Sequence, residues 1–295
     1  MRNGTRSLAC AAAAVAVGLV GCTLVQSDPA ALAAKPVQTC RGNGAKACPS
    51  STPSATTTSP SPTSSSTPTA PAVGQLCTNP YFTTSGTNSG VEDGGFYVHN
   101  NLWNAAKYPG TTGTLQVCSY RSWNHTAVAS NASGTGEVKT YPNVHRNLSG
   151  RTIGSFATLD STFAHTSPGN VGIYNVAYDF WINGIPNEEV MIWTDNYRQV
   201  PAGSRVATVT LSRISWDVYA TADNHYIAFV PSGGARLTSA ALDLRAFLLY
   251  LVTVGRHRAS DTVDQIGYGI EIVDTGNVPR TWNITDYSLT AAPEL

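Results

Sequence analysis

From Leu76 onward, apolar and polar positions alternate in short runs broken by Gly, Pro, Asn and Ser. Alternation with a period of two is what a half-buried strand requires, because successive side chains point to opposite faces of a sheet. Such runs cover Gly94–His99, Asn175–Asn183, Glu188–Trp193, Arg205–Arg213, Ile214–Tyr219, His225–Val230, Gly267–Val273 and Trp282–Leu289. Together they predict an antiparallel sandwich or barrel, an all-β chain. One segment breaks the rule. Between Thr238 and Val254, Leu244, Phe247, Leu248 and Leu251 recur at helical spacing with no Gly or Pro inside, predicting one short helix packed on the outer face of a sheet.

Parity within the strands assigns faces. Glu189, Met191 and Trp193 share one face, with Val190 and Ile192 on the other. Asp179 and Trp181 likewise oppose Tyr178, Phe180 and Ile182. In Gln265–Ile272, the face opposite the bulky apolar residues carries Gln265, Gly267, Gly269 and Glu271. Acids sharing a face with indoles suit a sugar-binding groove better than a dry core. The two glycines weaken their strand but leave open space above the sheet for a ligand.

The front of the chain has a different character. Arg2 and Arg6 precede an apolar run from Leu8 to Val20, then Gly21 and Cys22, the layout of an export signal over residues 1–22. The run is too short to span a bilayer comfortably. Leu19-Val20-Gly21-Cys22 resembles a lipobox, which would make Cys22 a lipidation site and the chain a surface lipoprotein. The alternative is an ordinary signal cleaved after Ala33, which would release a secreted protein. Residues 23–48 form a short exported segment. Pro49 to Ala72 contains only Ser, Thr, Pro and Ala, a composition that buries no apolar surface, so 49–73 is a linker and 74–295 the folded domain.

Of the six cysteines, Cys10 lies in the signal and Cys22 at its end, leaving Cys40, Cys48, Cys77 and Cys118 for an oxidising compartment. Three pairings are open, and the linker favours Cys40 with Cys48 and Cys77 with Cys118. Lys plus Arg and Asp plus Glu number 18 each, and only 12% of residues are charged, which argues against a nucleic-acid partner. The histidines lack metal-ligand spacing, and no Gly-x-Ser-x-Gly elbow points to an esterase. No cofactor or metal is expected. With no helical seam or long apolar strip, the expected state is a monomer, meeting a membrane only through an N-terminal lipid.

Glycoside hydrolysis needs one carboxylate that attacks or activates water and one carboxyl that protonates the leaving oxygen. Glu189 and Glu271 are that pair. The segments Asn100-Asn101-Leu102-Trp103, Tyr141-Pro142-Asn143, Tyr178-Asp179, Glu189-Val190-Met191-Ile192-Trp193, Pro201-Ala202-Gly203 and Gly269-Ile270-Glu271, with Cys77 and Cys118, resemble glycoside hydrolase family 12 in order. The resemblance implies a two-sheet antiparallel β-jelly roll (concanavalin-like) and a retaining endo-β-1,4-glucanase acting on cellulose, mixed-linkage glucan or xyloglucan. It implies Glu189 as nucleophile, Glu271 as acid/base and Asp179 hydrogen-bonded to the nucleophile. It also implies Trp103 and Trp193 as sugar platforms, with Asn101 and Met191 contacting substrate, and a Cys77–Cys118 disulfide. Trp181 joins the substrate-binding set by parity. Two departures stand out: Ile272-Val273 follows the acid/base where the family has Pro and an aromatic residue, and Pro201-Ala202-Gly203 replaces Pro-Ile-Gly. A carbohydrate-binding protein without catalysis on the same fold is the rival reading.

Overall fold

In the computed structural model, which describes residues 74–293, the alternating runs pair into two sheets. In chain order the strands are β1 (Phe82–Thr84), β2 (Gly90–Asp93), β3 (Phe96–His99), β4 (Thr112–Ser119), β5 (Ser122–Val128), β6 (Asn143–Thr152), β7 (Phe156–Thr166) and β8 (Ile173–Ile182). They continue as β9 (Glu188–Tyr197), β10 (Ser204–Leu211), β11 (Ile214–Ala220), β12 (Tyr226–Pro231) and β13 (Ser239–Asp243), then helix α1 (Leu244–Thr253), β14 (Thr262–Asp274) and β15 (Arg280–Pro293). A six-stranded sheet runs β1-β4-β5-β15-β7-β13, and a nine-stranded sheet runs β10-β11-β12-β9-β8-β14-β6-β3-β2. Every pairing is antiparallel except that of β12 with β9. This is the expected jelly-roll sandwich. The export signal with Cys22, the Cys40 and Cys48 pair and the linker lie outside the described residues.

The core sits between the sheets and is built by the parity of the strands. Tyr178, Phe180, Val190, Ile192, Ile266, Tyr268 and Ile270 are all fully buried on the inner face of the larger sheet. They meet Trp123, Phe163, Ile284 and Tyr287 from the smaller one. At ~1.5–3 kcal/mol for each large apolar side chain taken from water, this layer supplies most of the drive to fold. Cys77 is bonded to Cys118, tying the segment before β1 to β4.

The helix is shorter than its apolar spacing predicts. Ser239–Asp243 continues the smaller sheet as β13, paired with β7, and the helix begins only at Leu244. Asp243 explains the switch, since its side chain accepts the Ala246 N–H at 2.9 Å and caps the first turn. Phe247 then packs edge-on against Trp216 of β11 and Phe229 of β12. The helix therefore covers the inner face of the larger sheet where the smaller sheet stops, and not an outer face as its amphipathic spacing predicts, because Phe247 completes the inter-sheet core; the opposite face is left open.

Candidate active site

The open face of the nine-stranded sheet holds the chemistry. On β8 and β9 the register sets Asp179 opposite Met191 and Trp181 opposite Glu189. On the other side of β8, β14 sets Gly267 opposite Asp179 and Glu271 opposite Asn175. Strands β9, β8 and β14 are the central three of the sheet, and period-two alternation turns all these side chains the same way. They line a cleft of about 1030 Å³ that includes Glu189, Asp179, Glu271, Trp181, Trp103 and Asn101. That volume is at the upper end of small-molecule pockets, room for a chain of rings.

The electrostatics follow from burial and from the acids' mutual repulsion. Burial pushes the Glu189 carboxyl well above the usual range, and the charges of Asp179 and Glu271 push it further. Asp179 is raised in the same way by burial and by Glu271. Glu271 rises to about 7 through burial, held back by two amides: Asn175 Nδ2 and Gln199 Nε2 both donate to its Oε2. Three carboxyls within electrostatic reach on one half-buried face cannot all ionise freely near neutrality, so the site carries at least one exchangeable proton. Hydrogen bonds from Asn175 and Gln199 favour the anion of Glu271, the form left after a proton is given away.

Several expectations are corrected here. Trp193 and Met191 lie on the cleft side of β9 but are each only 1% exposed. Trp193 Nε1 and Tyr226 Oη both donate to Met191 Sδ, and Ala177 and Ala228 close the cluster. The pair is thus a small apolar foundation under the cleft and offers no open ring face. Trp103, by contrast, stands 56% exposed at the rim. Asn101 has a positive φ of 37° and its carbonyl accepts the Tyr141 N–H. Asp179 makes no hydrogen bond to Glu189 among the described residues, and its Oδ1 is buried without a partner.

The glycines of β14 do not leave open space either. A Cβ on Gly269 would fall 2.2 Å from the Pro142 carbonyl, and the Ile270 N–H donates to that same oxygen at 3.0 Å. Gly269 is there so that the Thr140–Asn143 segment can cross β14 closely. Tyr141 then lies over Gly267, and its hydroxyl donates to the Ala177 carbonyl at 3.1 Å. Charges on Asp179, Glu271 and Glu189 add to burial in raising its pKa, so this phenol stands beside all three acids. In the sequence Tyr141 stands out only within Tyr141-Pro142-Asn143, and Gln199 and Asn175 belong to no motif. Asn175 was within reach of parity, four residues from Asp179 on the same face. Tyr97, His99 and His145 extend the cleft across β3 and β6.

A groove of this size on a β-sandwich, floored by carboxyls that exchange a proton and rimmed by an exposed indole, has the shape to hold a chain of sugar rings and the groups for acid–base chemistry on it. Comparison with known proteins narrows the class. The sequence profile of Glycosyl hydrolase family 12 matches residues 94–292. Endoglucanase S from Pectobacterium parmentieri is 29% identical, over 60% of this chain and 75% of its own. Xyloglucan-specific endo-beta-1,4-glucanase A from Emericella nidulans is also 29% identical, over 54% and 71%. The solved structure of endoglucanase cel12A from Rhodothermus marinus superposes with a TM-score of 0.61 at 25% identity, covering 72% of this chain and 100% of that one. The chain belongs to glycosyl hydrolase family 12.

Proposed function

We propose that the protein cuts β-1,4-linked glucan chains internally with retention of anomeric configuration, using Glu189 as nucleophile and Glu271 as acid/base. The observation that supports the reading is the group of three carboxyls on the cleft floor, Asp179 buried and Glu189 and Glu271 half-buried, with Glu271 poised near pH 7; the division of roles between the two glutamates follows the family resemblance. In the first step the Glu189 carboxylate bonds to the anomeric carbon while the glycosidic C–O bond breaks and Glu271 protonates the departing oxygen. In the second, the Glu271 carboxylate takes a proton from water, the water oxygen bonds to the same carbon, and Glu189 leaves as the free carboxylate. Asp179 holds the remaining shared proton, so that the negative charge resides on Glu189 when sugar is bound. Trp103 and Trp181 stack on sugar rings, Asn101 lines the groove beside them, and Tyr141 positions the acids. The β-1,4-glucan and xyloglucan in the relatives' names are both in scope. The export signal ahead of the linker fits a substrate found outside the cell, with Cys22 as the point of lipid attachment.

The test is incubation of the full chain with carboxymethylcellulose, mixed-linkage glucan and xyloglucan, following reducing ends and the anomer first released. Release of β-anomer oligosaccharides is expected. Glu189→Gln should lower kcat by at least roughly 10³-fold while glucan binding persists. Near-normal turnover in that variant would overturn the assignment, and binding without any release would move the protein to the non-catalytic reading.

A further inference from the structure

Glu188 precedes the nucleophile by one residue, and strand parity turns it to the other side of β9. There it meets His257 and Asp261, from the turn between α1 and β14. One ligand atom from each of the three lies within 4.8 Å of the others. His257 Nδ1 is 3.4 Å from Asp261 Oδ2 and 3.6 Å from Glu188 Oε2. Those separations are long for hydrogen bonds. They match the roughly 3.3–3.6 Å edge of a tetrahedron whose centre is ~2.0–2.2 Å from each nitrogen or oxygen, the bond lengths of zinc.

The surroundings support a ligand at this point. The His257 side chain is 2% exposed and turns its Nδ1 to both carboxylates, at separations that are long for hydrogen bonds. Both carboxylates are oriented from outside: Asn183 Nδ2 donates to Glu188 Oε2 at 3.1 Å and the Arg258 N–H to Asp261 Oδ2 at 2.8 Å, as second-layer donors do around metal ligands. The Arg256 guanidinium, on the wall of the same cavity, is held by Asn224 Oδ1. A polar cavity of about 350 Å³ opens over the group and gives an ion and its waters a way in.

We propose that Glu188, His257 and Asp261 form a site for a divalent transition-metal cation of the zinc class, with water completing the shell. An imidazole among the donors selects that class over calcium or magnesium. The two carboxylates neutralise the ion. Its role is structural: it joins the β8–β9 turn to the α1–β14 turn at the foot of the strand that carries Glu189, whose own N–H is held by the His225 carbonyl at 2.9 Å.

The experiment uses the full chain, stripped with a chelator and titrated with ZnCl₂ by calorimetry and thermal unfolding. One site per chain is expected, with Tm raised by roughly 5–10 °C at zinc 100-fold above Kd. His257→Ala and Asp261→Asn should abolish the shift, while His225→Ala, at the exposed pair with Asp223, should keep it. Should His257→Ala fail to fold, Glu188→Gln and Asp261→Asn carry the test. Zinc-edge X-ray absorption should show nitrogen and oxygen donors. A sulfur shell, which would place the ion on cysteines elsewhere, overturns the proposal, as would an unchanged shift in the Glu188 and Asp261 variants or no binding at all.

Discussion

Glu271 makes the folded protein sensitive to alkali in a way that can be measured without substrate. Its folded pKa is about 7 against 4.5 for an ordinary glutamate. A raised carboxyl pKa means the folded state holds a proton that the unfolded state has lost. Stability therefore falls as pH climbs from about 4.5, and the full cost is reached only above about 7. At 1.36 kcal/mol per unit, the cost at pH 8 is about 3 kcal/mol. Glu271→Gln removes it, because the amide never ionises. The substitution also carries a fixed penalty for placing an NH₂ where a carboxyl oxygen was, but that penalty is the same at every pH. The quantity to measure is thus the variant-minus-native difference in unfolding free energy at pH 8, less the same difference at pH 4.5, from urea unfolding curves. It should be about +3 kcal/mol, with relief of the repulsion on Glu189 and Asp179 acting in the same direction. A double difference within ~0.5 kcal/mol of zero would refute the claim that burial sets the protonation of Glu271.

The remaining expectations are catalytic and structural. Gln199→Leu removes a donor that favours the Glu271 anion, so the acid form should persist further and the alkaline limb of kcat should move to higher pH; a limb that stays or moves down would contradict this. Trp103→Ala should raise KM for long oligosaccharides about 2- to 10-fold with kcat nearly unchanged, since a rim platform binds substrate and transition state alike. Gly269→Ala drives a methyl into the Pro142 carbonyl and should cost about 1–3 kcal/mol in unfolding free energy, with activity reduced through displacement of Tyr141.

The strands and their faces were legible because alternation is a local property. Each residue pair in Tyr178–Ile182 and Glu188–Trp193 reports its own facing, and the same parity that put Glu189 in the cleft excluded Glu188. The Glu189, Glu271 and Asp179 constellation came from combining that parity with resemblance. What stayed hidden depended on contacts between distant segments. Nothing in Met191-Ile192-Trp193 announces that Tyr226, brought alongside by the parallel β12, will cap the pair and bury it. Nothing in Gly267-Tyr268-Gly269 says that its space is taken by Pro142 and Tyr141, about 125 residues earlier in the chain. Gln199 reaches Glu271 from an irregular segment, where no period exists to read. Helix α1 was placed too early because apolar spacing alone does not locate a cap, which Asp243 supplies.

Strand β14 has neighbours on both sides, β6 and β8, although both precede it by many residues. Until Thr262–Asp274 slots between them, the larger sheet exists as two pieces with unpaired central edges, and the acid/base is not in the cleft. Long-range insertion of this kind is slow and leaves exposed strand edges in the meantime. During synthesis, then, the chain brings Glu271 beside Glu189 and Asp179 in the same event that seals the sheet. A half-built molecule is open to aggregation and lacks the proposed acid/base.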